Sequence, residues 1–425
     1  MFFITFNYDE ISFPKKIIFM KIIKYFLLIF LLMLIAGGIY IYPKYQRGLE
    51  ITRALDQNNI AYTFLNMDEF FLYKEVKASA DPYIFPRGKS IPLPMEFSIP
   101  KRVFNTEAYL DSTGTQGLII LQNDSLVFEN YHNGQTEGTR HISWSVAKSF
   151  ISALFGIAIE EGHIKSIEQK VEEYLPELKG SGYEGVRIKD VLQMSSGVKF
   201  NEDYADQNSD INRWFQAFAL GDSQDAFAAT LVNEIPPGTQ NHYVSINTHV
   251  LGMILVKATG KSLTEYLEEK IWKKIGMEHN AFWVSDNEDM EMALGGLNAT
   301  LRDYAKLGQL FLQEGKWKGE QIVPKTWVKA SLTPDAPHLM PDNSEGAKPN
   351  FGYGYQWWIP NGTEGEFMAI GVFHQLIYIN PTTKTIIVKN SANPRFLDAS
   401  SIYSDELVSV ELFRKIAHGL VETTE

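Results

Sequence analysis

The sequence predicts an α+β fold, within the broad α/β class. One antiparallel sheet is built from both ends of the chain and covered by helices, with a helical subdomain inserted between. Three observations predict it. Two β-branched and apolar runs, Gln116 to Gln122 and Ser125 to Tyr131, flank Asn123-Asp124 in the pattern of a hairpin. Further runs of that kind, "YGYQWWIP", "EFMAIG", "HQLIYINP" and "TIIVKNSA", follow residue 350. Between the two groups, from about 150 to 330, the pattern is mostly helical. Hairpins make neighbouring strands antiparallel, and a sheet with one bare apolar face would be unstable, so helices must cover it.

The elements follow in order. Tyr25 to Tyr42, "YFLLIFLLMLIAGGIYIY", carries no charge over 18 residues. As a helix it would be about 27 Å long, close to the apolar thickness of a bilayer. Lys15, Lys16, Lys21 and Lys24 precede it, and only Lys44 and Arg47 follow closely. That bias sets residues 1–24 in the cytoplasm and the remaining chain on the outer, periplasmic side of the cytoplasmic membrane. The segment 25–42 reads as an uncleaved single-pass anchor. The alternative is a signal segment cut near Ala36-Gly37-Gly38, which would release the protein. Met20, followed by "KIIKYFLLIF", would open a more ordinary targeting segment, so the first 19 residues read as an extension upstream of the true start.

Residues 43–105 read as an arm or spacer, with Pro82, Pro86, Pro92, Pro94 and Pro100 in its second half. Residues 106–425 form the main domain. From Ser145 to about Gly162, Val146, Phe150, Leu154, Ile157 and Ala158 recur at three- and four-residue steps, as on one face of a helix. Ser262-Leu-Thr-Glu265 and Thr300-Leu-Arg-Asp303 read as capping boxes, and Gly260 and Gly315 as helix terminators. "NPTTK" is a hairpin loop, and a last amphipathic helix runs from about Ser404 to Val421.

Composition removes several function classes. The chain has 425 residues, 45% hydrophobic and 13% aromatic, enough for a sizeable folded core. A net charge of −12 with no basic stripe argues against a nucleic-acid partner. The absence of cysteine excludes disulfides, thiolate metal sites and cysteine nucleophiles. The nine histidines are scattered and no H-E-x-x-H occurs, so neither a metal nor a cofactor is expected. Gly88-Lys-Ser and Gly260-Lys-Ser lack the first P-loop glycine, with Tyr83 and Leu255 in its place. No G-x-S-x-G elbow is present. No pattern sets an oligomeric state.

Four S-x-x-K spacings remain: Ser12/Lys15, Ser98/Lys101, Ser145/Lys148 and Ser196/Lys199. Proline or glycine interrupts all but one. Only Ser145-Val146-Ala147-Lys148 opens a strong amphipathic helix, where positions i and i+3 share a face. A serine there also meets the exposed N–H groups of a helix N-terminus, which favour developing negative charge. Its hydroxyl becomes a nucleophile only when a neighbouring base takes the proton. The bland alternative is a capping serine and a solvated lysine. In "PPGTQNHYVSINTHVLG", Tyr243 lies in a Pro-Gly loop before another helix and forms Y-x-S with Ser245. A tyrosine beside a lysine can share its proton and serve as base and then acid.

S-V-A-K, Y-V-S about a hundred residues later and a glycine on a late strand resemble the β-lactamase-related serine hydrolases. That group includes class C β-lactamases, D,D-peptidases, family VIII esterases and 6-aminohexanoate-dimer hydrolases. The likeness runs from about Gln116 to near Ala392 and takes in "LPELKGSGYEGVRIKDVLQMSSG", "ALGGLNATLRDYAKLGQL" and "GYGYQWW". The resemblance implies a β-lactamase/transpeptidase-like fold. It implies that Ser145 is acylated, that Lys148 lowers its proton affinity and that Tyr243 relays the proton to the leaving group. The family's third motif falls on Ala369-Ile370-Gly371. The backbone N–H groups of Val372 and Ser145 would then hold the oxyanion, and Ser245, Ala369 and Gly371 would meet the substrate.

Ala369 stands where relatives use a basic residue to hold a substrate carboxylate, and Ser245 stands where asparagine is common. Both departures point away from an antibiotic-hydrolysing β-lactamase and toward the 6-aminohexanoate-dimer hydrolase and esterase branch. The expected function is cleavage of a small amide or ester through an acyl-enzyme. The alternatives are a membrane-anchored penicillin-recognising sensor with little turnover, and a D,D-peptidase. His374, one residue before Gln375 on the same strand, reads as a partly exposed strand histidine, the alternative being that it lines the cleft. Trp357-Trp358 either line the cleft or pack in the sheet.

Overall fold

The computed structural model describes residues 13–100, 102–341, 351–397 and 404–422. Two compact units divide at Thr52/Arg53. The first is dominated by α1 (Phe13–Ala54), a 42-residue helix with Pro43 inside it. It is the one helix among the described residues that is long and apolar enough to cross a membrane.

In the second unit the elements used below are β1 (Thr115–Gln122), β2 (Ser125–Tyr131), α2 (Ala147–Glu160), α3 (Ser245–Thr259), α4 (Leu301–Leu312), β3 (Gly352–Tyr353), β4 (Trp358–Ile359), β5 (Phe367–Gly371), β6 (Gln375–Asn380), β7 (Thr385–Ser391) and α5 (Ser404–Glu422). The seven strands form one sheet in the order β3-β4-β5-β6-β7-β1-β2, antiparallel throughout. The early hairpin therefore closes against the last strand, with Ile387 opposite Ile120. Asn123 and Asp124 both take left-handed backbone, φ 47° and 64°, as a primed two-residue turn requires.

Every residue of β1, β6 and β7 is buried, because helices cover both faces. On one face Leu118, Ile120, Leu376, Tyr378 and Ile387 join Leu412, Phe413 and Ile416 of α5. On the other, α4 lies so close that a Cβ on Gly308 would come 3.0 Å from Ile386 Cγ2 and 3.2 Å from Ile377 Cγ2. Arg302, 6% exposed, fastens the start of α4 to β2 through two bonds to the Glu129 carboxylate, at 2.7 and 2.8 Å.

The helical middle includes α2 and α3, which pack on each other and bury most of their length. Gly260 ends α3 in the left-handed conformation, φ 68°. Ser262 and Glu265 form the reciprocal capping box. Thr300 makes only half of one. Its side chain accepts from Asp303 N–H, but the Asp303 carboxylate, instead of reaching back to the Thr300 N–H, accepts from the Thr300 hydroxyl and from the N–H groups of Glu278 and His279.

Two short hairpins, Glu96–Ile99 with Arg102–Asn105 and Lys316–Trp317 with Glu320–Gln321, have no counterpart in the sequence reading, and neither has a larger element. A second sheet joins Tyr73–Val76, Ala281–Val284, Leu297–Ala299 and His141–Ile142, all antiparallel. It delivers the chain directly to Ser143.

Candidate active site

Ser145 lies in a 3-10 turn, Trp144–Val146, that runs straight into α2. The turn is fixed from the second sheet, where Ser143 N–H donates to Leu297 O at 2.8 Å. Trp144 takes φ 44°, a strained conformation for a bulky side chain that costs about 1–3 kcal/mol. Packing holds it there. Phe64 meets the indole edge-on at 5.4 Å, and Phe373 lies 6.0 Å away.

Lys148 follows one turn later and is 2% exposed. Its ammonium donates to Leu294 O at 2.6 Å. Burial lowers its pKa to about 7, and the neighbouring Glu202 carboxylate pulls the other way. Nζ lies 5.6 Å from the centroid of the Tyr243 ring. The helix start and the Pro-Gly loop are thus brought together, as the S-x-x-K and Y-x-S spacing requires.

Tyr243 is half-buried. Its ring stacks on Trp358 at 5.3 Å and 21°, and meets Tyr353 edge-on at 6.3 Å. The preceding loop is tied to the 193–200 segment. His242 N–H donates to Met194 O at 2.7 Å, and Gly238 N–H to Ser195 O at 2.8 Å. The two tryptophans divide the readings left open for them. Trp358 faces Tyr243, while Trp357 is fully buried against Phe311 and Phe367.

Ser245 opens α3 and is 0% exposed. Its N–H donates to Glu202 Oε2 at 3.0 Å and its hydroxyl to Oε1. The Tyr204 hydroxyl adds a third bond to that carboxylate at 2.9 Å. Burial raises the Glu202 pKa, while the bond from Ser245 and the charge of Lys148 oppose the rise. Glu202 was not picked out from sequence. It sits in "NEDYADQNSD", where Asp203, Asp206 and Asp210 surround it and the whole run reads as a solvated loop. No local pattern separates the one carboxyl that turns inward.

The late strands complete the site. Ala369 is buried in β5 opposite Ile377 and supplies no charge. Gly371 ends β5, paired with Gln375. A Cβ there would fall 2.5 Å from Ser143 O and 3.1 Å from Ser145 N. Only glycine lets the strand end press against the Ser145 turn so closely. Val372 follows, partly exposed, in a three-residue connection to β6.

His374 corrects an expectation. It is neither on a strand nor partly exposed. Pairing stops at Gly371 and Gln375, so His374 falls in the connection with φ 77°, and it is 1% exposed between Lys389 and Ser409.

Comparison with known proteins identifies the family and the fold. Residues 105–400 match the family model described as Beta-lactamase. The 6-aminohexanoate-dimer hydrolase of Paenarthrobacter ureafaciens is 32% identical over 305 residues, covering 70% of this chain and 77% of the relative. A solved structure from Bacillus anthracis, provisionally assigned the same enzyme name, superposes with a TM-score of 0.76 at 29% identity. It covers 87% of this chain and 96% of its own. A penicillin-binding protein from Bacillus halodurans shares the fold, with a TM-score of 0.54 at 16% identity over 70% of this chain and 99% of its own. The chain belongs to the β-lactamase family and is a serine hydrolase of the amidase and esterase kind.

Proposed function

We propose that the chain cleaves a small amide or ester through an acyl-enzyme on Ser145, with Lys148 and Tyr243 as the proton relay. The observation that carries this reading is the buried Lys148 ammonium, one turn from Ser145 and 5.6 Å from the Tyr243 ring. Ser145 Oγ attacks the carbonyl carbon and its proton passes to the Lys148–Tyr243 pair. The oxygen of the tetrahedral intermediate is held by the backbone N–H groups of Ser145 and Val372. Donors of this kind are worth about 3–4 kcal/mol each in the transition state. The Tyr243 phenol then protonates the departing amine or alcohol. Water enters by the same relay in reverse and frees the acid.

The site also bears on the substrate. The Ser245 hydroxyl is committed to Glu202, and Ala369 brings no charge. Both features favour a substrate without a carboxylate next to the scissile bond: a short ester, or a linear amide of the sort for which the Paenarthrobacter relative is named, whose carboxylate lies at the far end of a six-carbon chain. The lysines before Tyr25 support a catalytic unit anchored on the outer side of the membrane. Incubation with short esters, linear amide dimers, D-amino acid amides and a β-lactam should give steady turnover on an ester or linear amide. One equivalent of product followed by a plateau on all four would contradict the proposal.

The relay also sets the pH dependence. Attack needs Lys148 neutral, and burial lowers its pKa to about 7. kcat/KM should therefore rise with pH through about 7 rather than through the ordinary lysine range. Glu202 raises the Lys148 pKa, so Glu202→Gln should move this acid limb to lower pH. An unmoved limb, measured on folded variant, would remove Glu202 from the relay's electrostatics.

A further inference from the structure

The connection between β5 and β6, Val372-Phe373-His374, takes an unusual backbone. Phe373 and His374 have φ of 58° and 77°, two consecutive left-handed residues where glycine would be the default. Something must hold them. The Gln375 amide donates to Val372 O at 3.3 Å and to Phe373 O at 3.2 Å, and also reaches Ser391 O. The Phe373 ring packs against Phe64 at 5.0 Å and Phe396 at 4.6 Å.

The strongest restraint is the His374 ring, which is clamped at both nitrogens by buried groups from two other elements. Lys389 Nζ of β7 lies 3.1 Å from Nδ1, and Ser409 Oγ of α5 lies 3.1 Å from Nε2. Ser409 continues to the Tyr109 hydroxyl at 2.9 Å, which donates to Asp405 O at 2.7 Å. Counting donors assigns one direction to the whole chain. Lys389 donates to Nδ1, Nε2–H to Ser409, Ser409 to Tyr109 and Tyr109 to the carbonyl. Each link of this chain then has one donor and one acceptor, and Lys389 donates in addition to Ser391 Oγ. Burial holds the His374 pKa well below its ordinary value and lowers that of Lys389 to about 7, so the ring enters the chain neutral.

These groups fix the segment that begins at Val372, next to Gly371 and the Ser145 turn. We propose that His374 is a positioning residue: clamped by Lys389 and Ser409, it holds the Val372 N–H where the oxyanion forms. This rests on the reading of Val372 as an oxyanion donor.

The test uses the full chain and a matched pair of substrates, an oxoester and its thionoester. Sulfur accepts hydrogen bonds poorly, so an oxyanion hole gives the oxoester a large advantage in kcat. His374→Gly suits the left-handed backbone and removes the clamp. It should lower kcat on the oxoester about 10- to 100-fold with KM little changed, and should shrink the oxo/thiono ratio. Ser409→Ala, which deletes one distant hydroxyl, should shift both readouts the same way by less, and it carries the test if His374→Gly does not fold. A lowered Tm with kcat and the ratio unchanged per folded molecule would overturn the proposal and leave His374 a packing residue. A wild-type enzyme with no oxoester preference would instead overturn the oxyanion reading itself, and this inference with it.

Discussion

Lys148→Ala and Tyr243→Phe should each lower the acylation rate by roughly 10³-fold or more, and the double variant should be little worse than the poorer single. Groups that act as one relay are grossly non-additive, because removing either already stops the transfer. The geometry supports coupling. Lys148 Nζ lies 5.6 Å from the Tyr243 ring centroid, and burial places the lysine pKa near 7, where a proton can be shared. Tyr243→Phe keeps the ring that stacks on Trp358 and loses only a hydroxyl, so folding should survive. Lys148→Ala removes a buried charge held by Leu294 O and leaves that carbonyl without its donor, so its melting temperature must be checked. Pre-steady-state acylation rates decide the matter. Near-wild-type turnover by folded Tyr243→Phe would move the base role to Lys148 alone.

Gly371→Ala should cost about 100-fold or more in kcat through a single methyl group. The added carbon would meet Ser143 O at 2.5 Å and Ser145 N at 3.1 Å. Both are backbone atoms in a turn that is already strained at Trp144, φ 44°, and bonded to the second sheet. The turn has no flexible side chain to swing aside, so either β5 or the nucleophile must move. A displacement of the order of 1 Å in a reacting group can cost about 100-fold. Overpacking of this kind also destabilises by about 1–3 kcal/mol, which thermal unfolding would register. Gly419→Ala is the control, because a Cβ there meets nothing within 4 Å among the described residues. Full activity in Gly371→Ala would mean that the end of β5 does not set the position of Ser145.

Legibility of the fold followed the range of the interactions. The hairpin at Asn123-Asp124, the last three strands and the last helix were readable, since each is written in local periodicity and turn chemistry, whereas "YGYQWWIP", read as one run, is broken: Gly352–Tyr353 and Trp358–Ile359 are two short strands that pair across a turn in which Gln356 is left-handed. The second sheet was not. Tyr73–Val76 pairs with Ala281–Val284 across some two hundred residues, and "AFWV" is a fully buried apolar run. Such a run looks the same in a helix or a strand. Thr300-Leu-Arg-Asp303 misled in part because the Asp303 carboxylate also takes tertiary donors, the N–H groups of Glu278 and His279, in place of the Thr300 N–H.

The site divides the same way. Ser145 and Lys148 were legible because a helix start constrains both at fixed spacing. Gly371 was found through the family pattern, and its reason emerges only from the 2.5 Å approach to Ser143 O. Glu202 and the buried face of His374 were invisible because each acquires its role from residues far along the chain: Ser245 for one, Lys389 and Ser409 for the other.

The central claim, that Ser145 alone forms the acyl-enzyme, is tested most directly by stoichiometric labelling with a serine-reactive phosphonate followed by mass mapping of the peptides. The account predicts one equivalent of adduct on Ser145 and none on Ser145→Ala protein whose melting profile matches the wild type. Full labelling of Ser145→Ala, or an adduct mapped to another serine in the wild type, would contradict it.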